Sequence, residues 1–289
     1  MSRLPRVLIT GSRGFIGSSL TENLRAAGYE VWEITRSHPH GEYAVTADLL
    51  DPQQTYNAFR KIPCCPVVLH AAALAHGQNP PAGESCFSAN TKITRNILAA
   101  LDQQHTAHFI FLSSVAVYGE DRRHKAVSVH DDTFPATEYG KSKLQSENDL
   151  LQSSIQSLDI LRLAPVFDSE HLSDVRKRVF LPGSSFIKMK MYPPPQYSLC
   201  HIKTILETVS NLLVNLHDKK RVCNLSDRKA YSQNEIRAWF SGREIPFPVL
   251  LASPCYVVMR LAGVRGYALR CLYWKLCRSN IYLNNMKEV

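Results

Sequence analysis

Short apolar runs separated by amphipathic stretches set the rhythm of the first 165 residues. Val7-Leu8-Ile9 reads as a buried parallel strand ending at Thr10-Gly11. Glu30–Thr35, Tyr43–Ala47, Val67–Leu69, Phe109–Leu112 and Ile160–Leu163 repeat that pattern. Between them, apolar residues recur at helical spacing over Ile16–Ala27, with Gly28 as a C-cap, over 88–103 and over Tyr139–Leu151. Strands alternating with helices predict an α/β fold built on a doubly wound parallel sheet. After Pro165 the rhythm weakens, prolines gather at 193–195, and helices are expected at 202–215 and 250–262. Residues 1–165 are read as one domain and 166–289 as a smaller lobe closing over a ligand, with about 197–225 returning to the first domain.

Strand one runs directly into Thr10-Gly11-Ser12-Arg13-Gly14-Phe15-Ile16-Gly17. Glycines spaced GxxGxxG between a strand and a helix fit a Rossmann dinucleotide loop. Gly11 allows the tight turn, Gly14 the approach of a pyrophosphate, and Gly17 close helix–strand packing. The helix N-terminus offers N–H groups and partial positive charge to phosphates. Gly11, Arg13, Gly14, Phe15, Ile16 and Gly17 are therefore expected cofactor contacts. At the end of strand two, where a carboxylate would bind the ribose of NAD, stand Thr35 and Arg36. Two arginines, Arg13 and Arg36, without a carboxylate favour NADP(H) through a forked contact to a 2′-phosphate, with NAD(H) as the alternative. Asp48, followed by Leu49, is the candidate for the adenine amino group.

Tyr139 and Lys143 lie four apart, on one helical face. An ammonium there is expected to draw the phenol down from about 10 and make it a usable acid or base. The strand Phe111–Ser114 ends in hydroxyls 25 residues before Tyr139.

With TGSRGFIG (10–17), HAAALAH (70–76), NTKITRNIL (90–98), LSSVAVYGE (112–120), YGKSK (139–143) and LRLAPVF (161–167) in order, the chain resembles the extended short-chain dehydrogenase/reductase family. That family includes the NAD-dependent nucleotide-sugar epimerases and dehydratases. The resemblance implies Ser114, Tyr139 and Lys143 as the catalytic trio, with Lys143 also holding the ribose. It implies Ala71 and Ala72 along the nicotinamide and Pro165 against it, and leaves Asn90 to position local backbone. The later half matches more loosely. Phe167-Asp168 replaces the usual Tyr-Gly, and Lys203-Thr204 replaces an acidic pair. Residues 246–286 resemble bacterial surface-polysaccharide enzymes of the family, although the chain ends sooner than is usual there.

Family dehydratases resemble one another in an Asp-Glu pair after the catalytic hydroxyl. Here Val115 and Ala116 stand there and cannot move protons, which argues against dehydration. NADPH-dependent reduction of a 4-keto sugar nucleotide and 4-epimerisation of a nucleotide sugar remain, with a slight lean to reduction because of the arginines. A cofactor-binding sensor or scaffold ranks third, since both Tyr139 and Lys143 are present.

The chain has 289 residues, 45% hydrophobic and 20% charged, an ordinary globular composition. None of its eight cysteines forms a CxxC pair, so free thiols and no metal are expected. No stretch reaches the roughly 18 apolar residues of a spanning helix, and no signal peptide is recognisable, so a cytoplasmic protein is expected. The net charge of +9 fits solvated surface or an anionic partner such as a nucleoside-diphosphate sugar. Aromatics do not interleave with the basic runs, which argues against nucleic acid. Residues 250–278 mix apolar positions with Arg260, Arg265, Arg270, Lys275 and Arg278. Pro254, Gly263 and Gly266 break that stretch, so core packing is favoured over membrane association. A homodimer is a further possibility.

Overall fold

The computed structural model describes residues 5–36, 41–74, 79–101, 108–119, 126–248 (only the backbone of Pro248) and 273–289. The helix expected at 250–262 and most of the mixed basic and apolar stretch lie outside them.

In chain order the first half is β1 (Arg6–Thr10), α1 (Phe15–Ala26), β2 (Glu30–Thr35), β3 (Ala44–Thr46), α2 (Pro52–Lys61), β4 (Val67–His70), α3 (Cys86–Leu101), β5 (His108–Ser114), a 3-10 turn over Val115–Tyr118, α4 (Glu138–Gln152) and β6 (Leu158–Leu163). The second half contributes β7 (Val166–Phe167), α5 (Ser173–Arg176), β8 (Ile187–Tyr192), β9 (Gln196–Tyr197), β10 (Cys200–His201), α6 (Ile202–Val214), β11 (Lys220–Leu225), β12 (Tyr231–Ser232), α7 (Gln233–Ala238), β13 (Arg243–Pro248) and β14 (Met286–Glu288).

Eight strands form one sheet in the order β14-β11-β6-β5-β4-β1-β2-β3. All its pairings are parallel except the edge pair β11·β14. The expected doubly wound sheet is present, and its apolar strands are buried on both faces for the reason the continuous apolar runs implied. Alternate residues supply opposite faces. Leu8, Val68, Phe109 and Ile160 pack with Phe59 of α2, Ile97 of α3 and Leu150 of α4. Val7, Ile9, Leu69 and Leu112 pack with Leu20 and Leu24 of α1 and Val209 of α6. Each large side chain buried in this way contributes about 1.5–3 kcal/mol.

Helix ends follow local chemistry. Asp51 caps α2 by accepting from the backbone N–H groups of Gln53 and Gln54, with Pro52 at the first helical position. Thr137 caps α4 by accepting from Gly140 N at 3.1 Å. The N-terminus of α1 has Gly14 and no side-chain cap.

In the second half, α6 and β11 complete the layers of the main sheet. Around them lie three two-stranded pairs, β7·β10, β8·β13 and β9·β12. A smaller core of Phe167, Val175, Val179, Tyr197, Tyr231 and Ile236 joins several of these pieces.

Candidate active site

Parallel strands bring their carboxyl ends to one edge, so residues after β1, β2, β4, β5 and β6 meet there. The chain steps from β1 outward to β2 and β3, then returns across β1 to β4, β5 and β6. The crevice of such a sheet opens at that reversal, between β1 and β4.

A cleft of about 320 Å³ lies at this place. The glycine loop supplies Gly11, Ser12, Arg13 and Gly14. The end of β2 gives Thr35 and Arg36, the segment after β3 gives Asp48 and Leu49, and the end of β4 gives Ala71 and Ala72. Nine of the sequence-predicted positions thus line one cavity, joined by Ser12, which the sequence reading had not singled out. Gly17, Phe15, Ile16, Pro165 and the Ser114-Tyr139-Lys143 trio are not among its lining residues. Phe15 instead stacks on His171, ring centres 3.8 Å apart and planes 13° from parallel. Ile16 packs with the α1–α6 layer. Pro165 presents its carbonyl to Cys200 N at 3.0 Å.

The three loop glycines differ in what surrounds them. Gly11 adopts φ +78°, and a Cβ there would lie 2.5 Å from Ala72 N, so the turn presses on β4. A Cβ on Gly17 would lie 2.1 Å from the Gly11 carbonyl oxygen. A Cβ on Gly14 would meet only Gly11 O at 3.4 Å. Gly14 therefore has room around it and faces the cleft.

Two observations make the cleft suited to an anionic dinucleotide. The first N–H groups of α1 receive no side-chain cap, and such orphan donors bind phosphate well. Ser12 Oγ, in a residue 4% exposed, has no hydrogen-bond partner, although a buried hydroxyl normally has one. Arg13 and Arg36 are exposed at the same cleft, and Asp48 holds its own loop by accepting from Leu50 N at 3.0 Å.

The three side chains expected to be catalytic come together between α4 and the end of β5. Tyr139, Lys143 and Glu147 recur every fourth residue of α4 and address three successive residues of β5. The Tyr139 hydroxyl is hydrogen-bonded to Ser114. Lys143 Nζ donates to the Leu112 carbonyl at 2.7 Å. Ser113 Oγ donates to Glu147 Oε1. Ser114 Oγ also accepts from Ala116 N at 3.2 Å, starting the 3-10 turn.

One expectation is corrected here. The Tyr139 phenol is not drawn down toward neutrality. Burial pushes it up to about 12, with the Ser114 hydrogen bond opposing that rise. The reason is geometric. Lys143 points its ammonium at Leu112 O and lies 5.9 Å from the Tyr139 ring centre. Lys143 is itself drawn down to about 8 by burial, while Glu147 holds it up.

Sequence reasoning overlooked two buried polar systems behind the trio. In the first, His70 at the end of β4 bonds Thr10 Oγ1 at 2.8 Å and Thr94 Oγ1 at 3.2 Å, and Thr94 bonds Ser146 of α4 at 2.9 Å. Burial draws His70 down to about 3, so it is neutral and links β1, which leads into the glycine loop, to α4. Beside it, Asn90 clamps the Leu74 backbone through both its atoms and donates to Ser142, the local positioning expected of it. In the second system Glu147 pairs with Arg162. The only sequence signal for it was Glu147 continuing the four-residue spacing of Tyr139 and Lys143.

At the opposite end of the sheet, His108, Asp159 and His217 bring three potential metal-ligand atoms within 4.8 Å of one another. No sequence spacing suggested it. Arg221 grips both oxygens of Asp159, at 2.8 and 3.0 Å. His217 Nδ1 accepts from Lys219 N, which leaves the proton on the Nε2 that faces Asp159 at 2.8 Å. A metal would need that nitrogen's lone pair, so the cluster reads as an ion-pair network. Among the described residues no helix is long and apolar enough to cross a membrane.

A model of the NAD dependent epimerase/dehydratase family matches residues 7–165. The chain is 26% identical over 280 residues to N-acetyl-alpha-D-glucosaminyl-diphospho-ditrans,octacis-undecaprenol 4-epimerase of Escherichia coli O157:H7, covering 91% of this chain and 82% of that one. It is 25% identical over 225 residues to UDP-glucose 4-epimerase of Vibrio cholerae, covering 73% of this chain and 65% of that enzyme. Among solved structures, a short-chain dehydrogenase/reductase superfamily protein from Agrobacterium tumefaciens with bound NAD superposes with a TM-score of 0.69 at 21% identity, covering 84% of this chain and 86% of the other.

Proposed function

Because the chain belongs to the NAD dependent epimerase/dehydratase family of enzymes, we propose that it is an NAD(P)-dependent 4-epimerase of a diphosphate-linked sugar. The observation that carries this reading is a single proton-moving pair, Tyr139 with Ser114, backed by Val115 and Ala116. One acid/base suffices where the same carbon loses and regains a hydride. Elimination of water needs a second, and the aliphatic neighbours do not supply it.

Tyr139 would act as the phenolate, which burial disfavours in the free protein and which the positive charges of Lys143 and a bound oxidised nicotinamide would favour. It would take the proton from the sugar hydroxyl and return it to the carbonyl oxygen, with Ser114 holding that oxygen. Lys143 would bind the ribose and keep positive charge near the phenol. The loop Gly11–Gly17 with Ser12 would receive the pyrophosphate, and Thr35, Arg36, Asp48 and Leu49 the adenosine end. A nicotinamide held there would supply the reversible hydride acceptor that the reaction needs.

The lean toward reduction in the sequence reading gives way to epimerisation because the two relatives matched over 91% and 73% of the chain are 4-epimerases. Their substrates carry the sugar on a diphosphate, borne by uridine in one case and by undecaprenol in the other. Either carrier fits the proposal. The direct experiment supplies UDP-glucose, UDP-N-acetylglucosamine and polyprenyl-diphospho-N-acetylglucosamine without added cofactor and looks for the 4-epimers. Epimer formation without net change in reduced nicotinamide is the expected result. Stoichiometric NADPH oxidation with a 4-keto sugar nucleotide, and no epimers, would overturn it.

That second outcome is the reductase reading, which Arg13 and Arg36 at the cleft favour. Titration of NADPH and NADH against wild type and Arg36→Ala separates the cofactors. An arginine that meets a 2′-phosphate makes Arg36→Ala weaken NADPH alone.

A further inference from the structure

Glu147 is buried, 1% exposed, and belongs to a continuous polar chain through the interior. Arg162 on β6 grips it with Nε at 3.1 Å from each oxygen and Nη2 at 2.6 Å from Oε2. The other arm of Arg162 donates to Tyr118 Oη at 2.9 Å, and Tyr118 donates to Asn224 Oδ1 at 2.6 Å. Asn224 then donates to the Leu283 carbonyl at 3.2 Å. The chain thus runs from the catalytic helix through β6 and β11 to the C-terminal segment.

Charge counting shows why this matters for the site. Lys143 and Arg162 are two cations in a dry interior, and Glu147 lies on the same helical face as Lys143, one turn away. A buried ammonium without a nearby anion loses its proton well below its usual range. The other titratable groups acting around Lys143 do not provide one. Tyr139 on its own helix is a protonated phenol, Cys86 of α3 is a thiol pushed up by burial, and His70 of β4 is neutral.

We propose that Glu147, clamped by Arg162 and Ser113, is the positioning residue that keeps Lys143 protonated and sets α4 in register with β5, so that Tyr139 meets Ser114. This rests on reading Tyr139 and Lys143 as the reacting pair, but its test does not. Glu147 is buried and does not line the cleft. It acts through Lys143, by charge, and through Ser113, the residue between the partners of Lys143 and Tyr139.

The test follows the ammonium itself. Protein labelled with ¹³C at the lysine ε-carbon is titrated by NMR without cofactor, the Lys143 signal being assigned by its loss in Lys143→Met. In the wild type, Lys143 should be charged at pH 7 and titrate near pH 8. In Glu147→Gln, which keeps shape and hydrogen-bonding atoms, the midpoint should fall by a full pH unit or more, roughly tenfold in the proton-binding constant. Ser113→Ala removes one bond to the carboxylate and no charge. It should lower the melting temperature and leave the midpoint where it was. An unchanged midpoint in a folded Glu147→Gln protein overturns the proposal. So does a wild-type Lys143 already neutral at pH 7, which needs no variant to fold. Since no turnover is measured, the outcome is independent of whether the enzyme epimerises or reduces.

Discussion

The Lys143 ammonium donates to the carbonyl oxygen of Leu112 at 2.7 Å, in the dry space between α4 and β5. Burial lowers its proton affinity from the ordinary 10.5 to about 8. Between those values the unfolded chain binds more protons than the folded one, so this group's contribution to stability improves as pH rises through that window and is unfavourable below it. At neutral pH the cost is on the order of 3 kcal/mol, partly returned by the bond to Leu112. Lys143→Met should therefore leave the protein between equally stable and about 2 kcal/mol more stable at pH 7, while cofactor binding and turnover collapse. Urea denaturation beside nucleotide titration checks this. A loss of more than about 2 kcal/mol would show that the lysine stabilises the fold rather than straining it.

Tyr139→Phe removes one hydroxyl and its bond to Ser114. The fold should lose about 1 kcal/mol and cofactor affinity should hardly move. Turnover should drop by about 10²–10⁴, the usual yield of a positioned acid/base. Steady-state rates measured with an isotope-labelled sugar detect such residual activity, and a variant within tenfold of wild type would remove Tyr139 from the mechanism.

Much of this was legible in the sequence because it depends on period and spacing. Val7–Ile9, Val67–Leu69 and Phe109–Leu112 announce themselves as strands buried on both faces, and three glycines at a strand–helix junction have few other uses. The edge strand Met286–Glu288 gave no such signal. Its three residues are exposed, and it is held by antiparallel pairing with β11 and by the ion pair of Glu288 with Lys219 just before that strand. The state of Tyr139 was not legible either. Four-residue spacing says that Lys143 shares its face, but the direction of the ammonium depends on where the Leu112 carbonyl ends up. Pairs such as Phe15 with His171 and Glu147 with Arg162 join residues 156 and 15 apart, and only the closed sheet brings them together.

The loop glycines make opposite predictions. In Gly17→Ala the new methyl meets the Gly11 carbonyl at 2.1 Å, backbone against backbone. Loop and helix must separate, at a cost of about 1–3 kcal/mol or more, and cofactor binding should fail with them. In Gly14→Ala the backbone is already at φ −78°, and the methyl has only Gly11 O at 3.4 Å. Stability should stay within about 1 kcal/mol of wild type, whereas nucleotide affinity should fall at least tenfold, because the methyl enters the space a pyrophosphate needs. Calorimetric melting with and without NAD distinguishes the two. Unchanged affinity in Gly14→Ala would move the phosphate away from this turn.

The amino end of the sheet, far from the cleft, carries an ionic network of its own. Asp159 at the start of β6 is 2% exposed and receives both arms of Arg221 and the Nε2 of His217, while His108 Nε2 lies 3.0 Å away. Burial alone would raise its carboxyl. These partners win, and hold it far below the usual carboxylate range. A carboxylate so depressed contributes stability that is complete above its unfolded value of about 4 and is lost as pH falls below it. Asp159→Asn leaves Arg221 without its counter-ion and should cost about 3–5 kcal/mol at pH 7. The gap between variant and wild type should then narrow steadily below pH ~4, because the wild type is losing what the variant never had. Urea melts from pH 7 to pH ~3 read this directly. A gap of constant size across that range would mean that Asp159 acts through shape and not charge. Saturating zinc should leave the wild-type midpoint unmoved, whereas a rise reversed by a chelator would turn this network into a metal site.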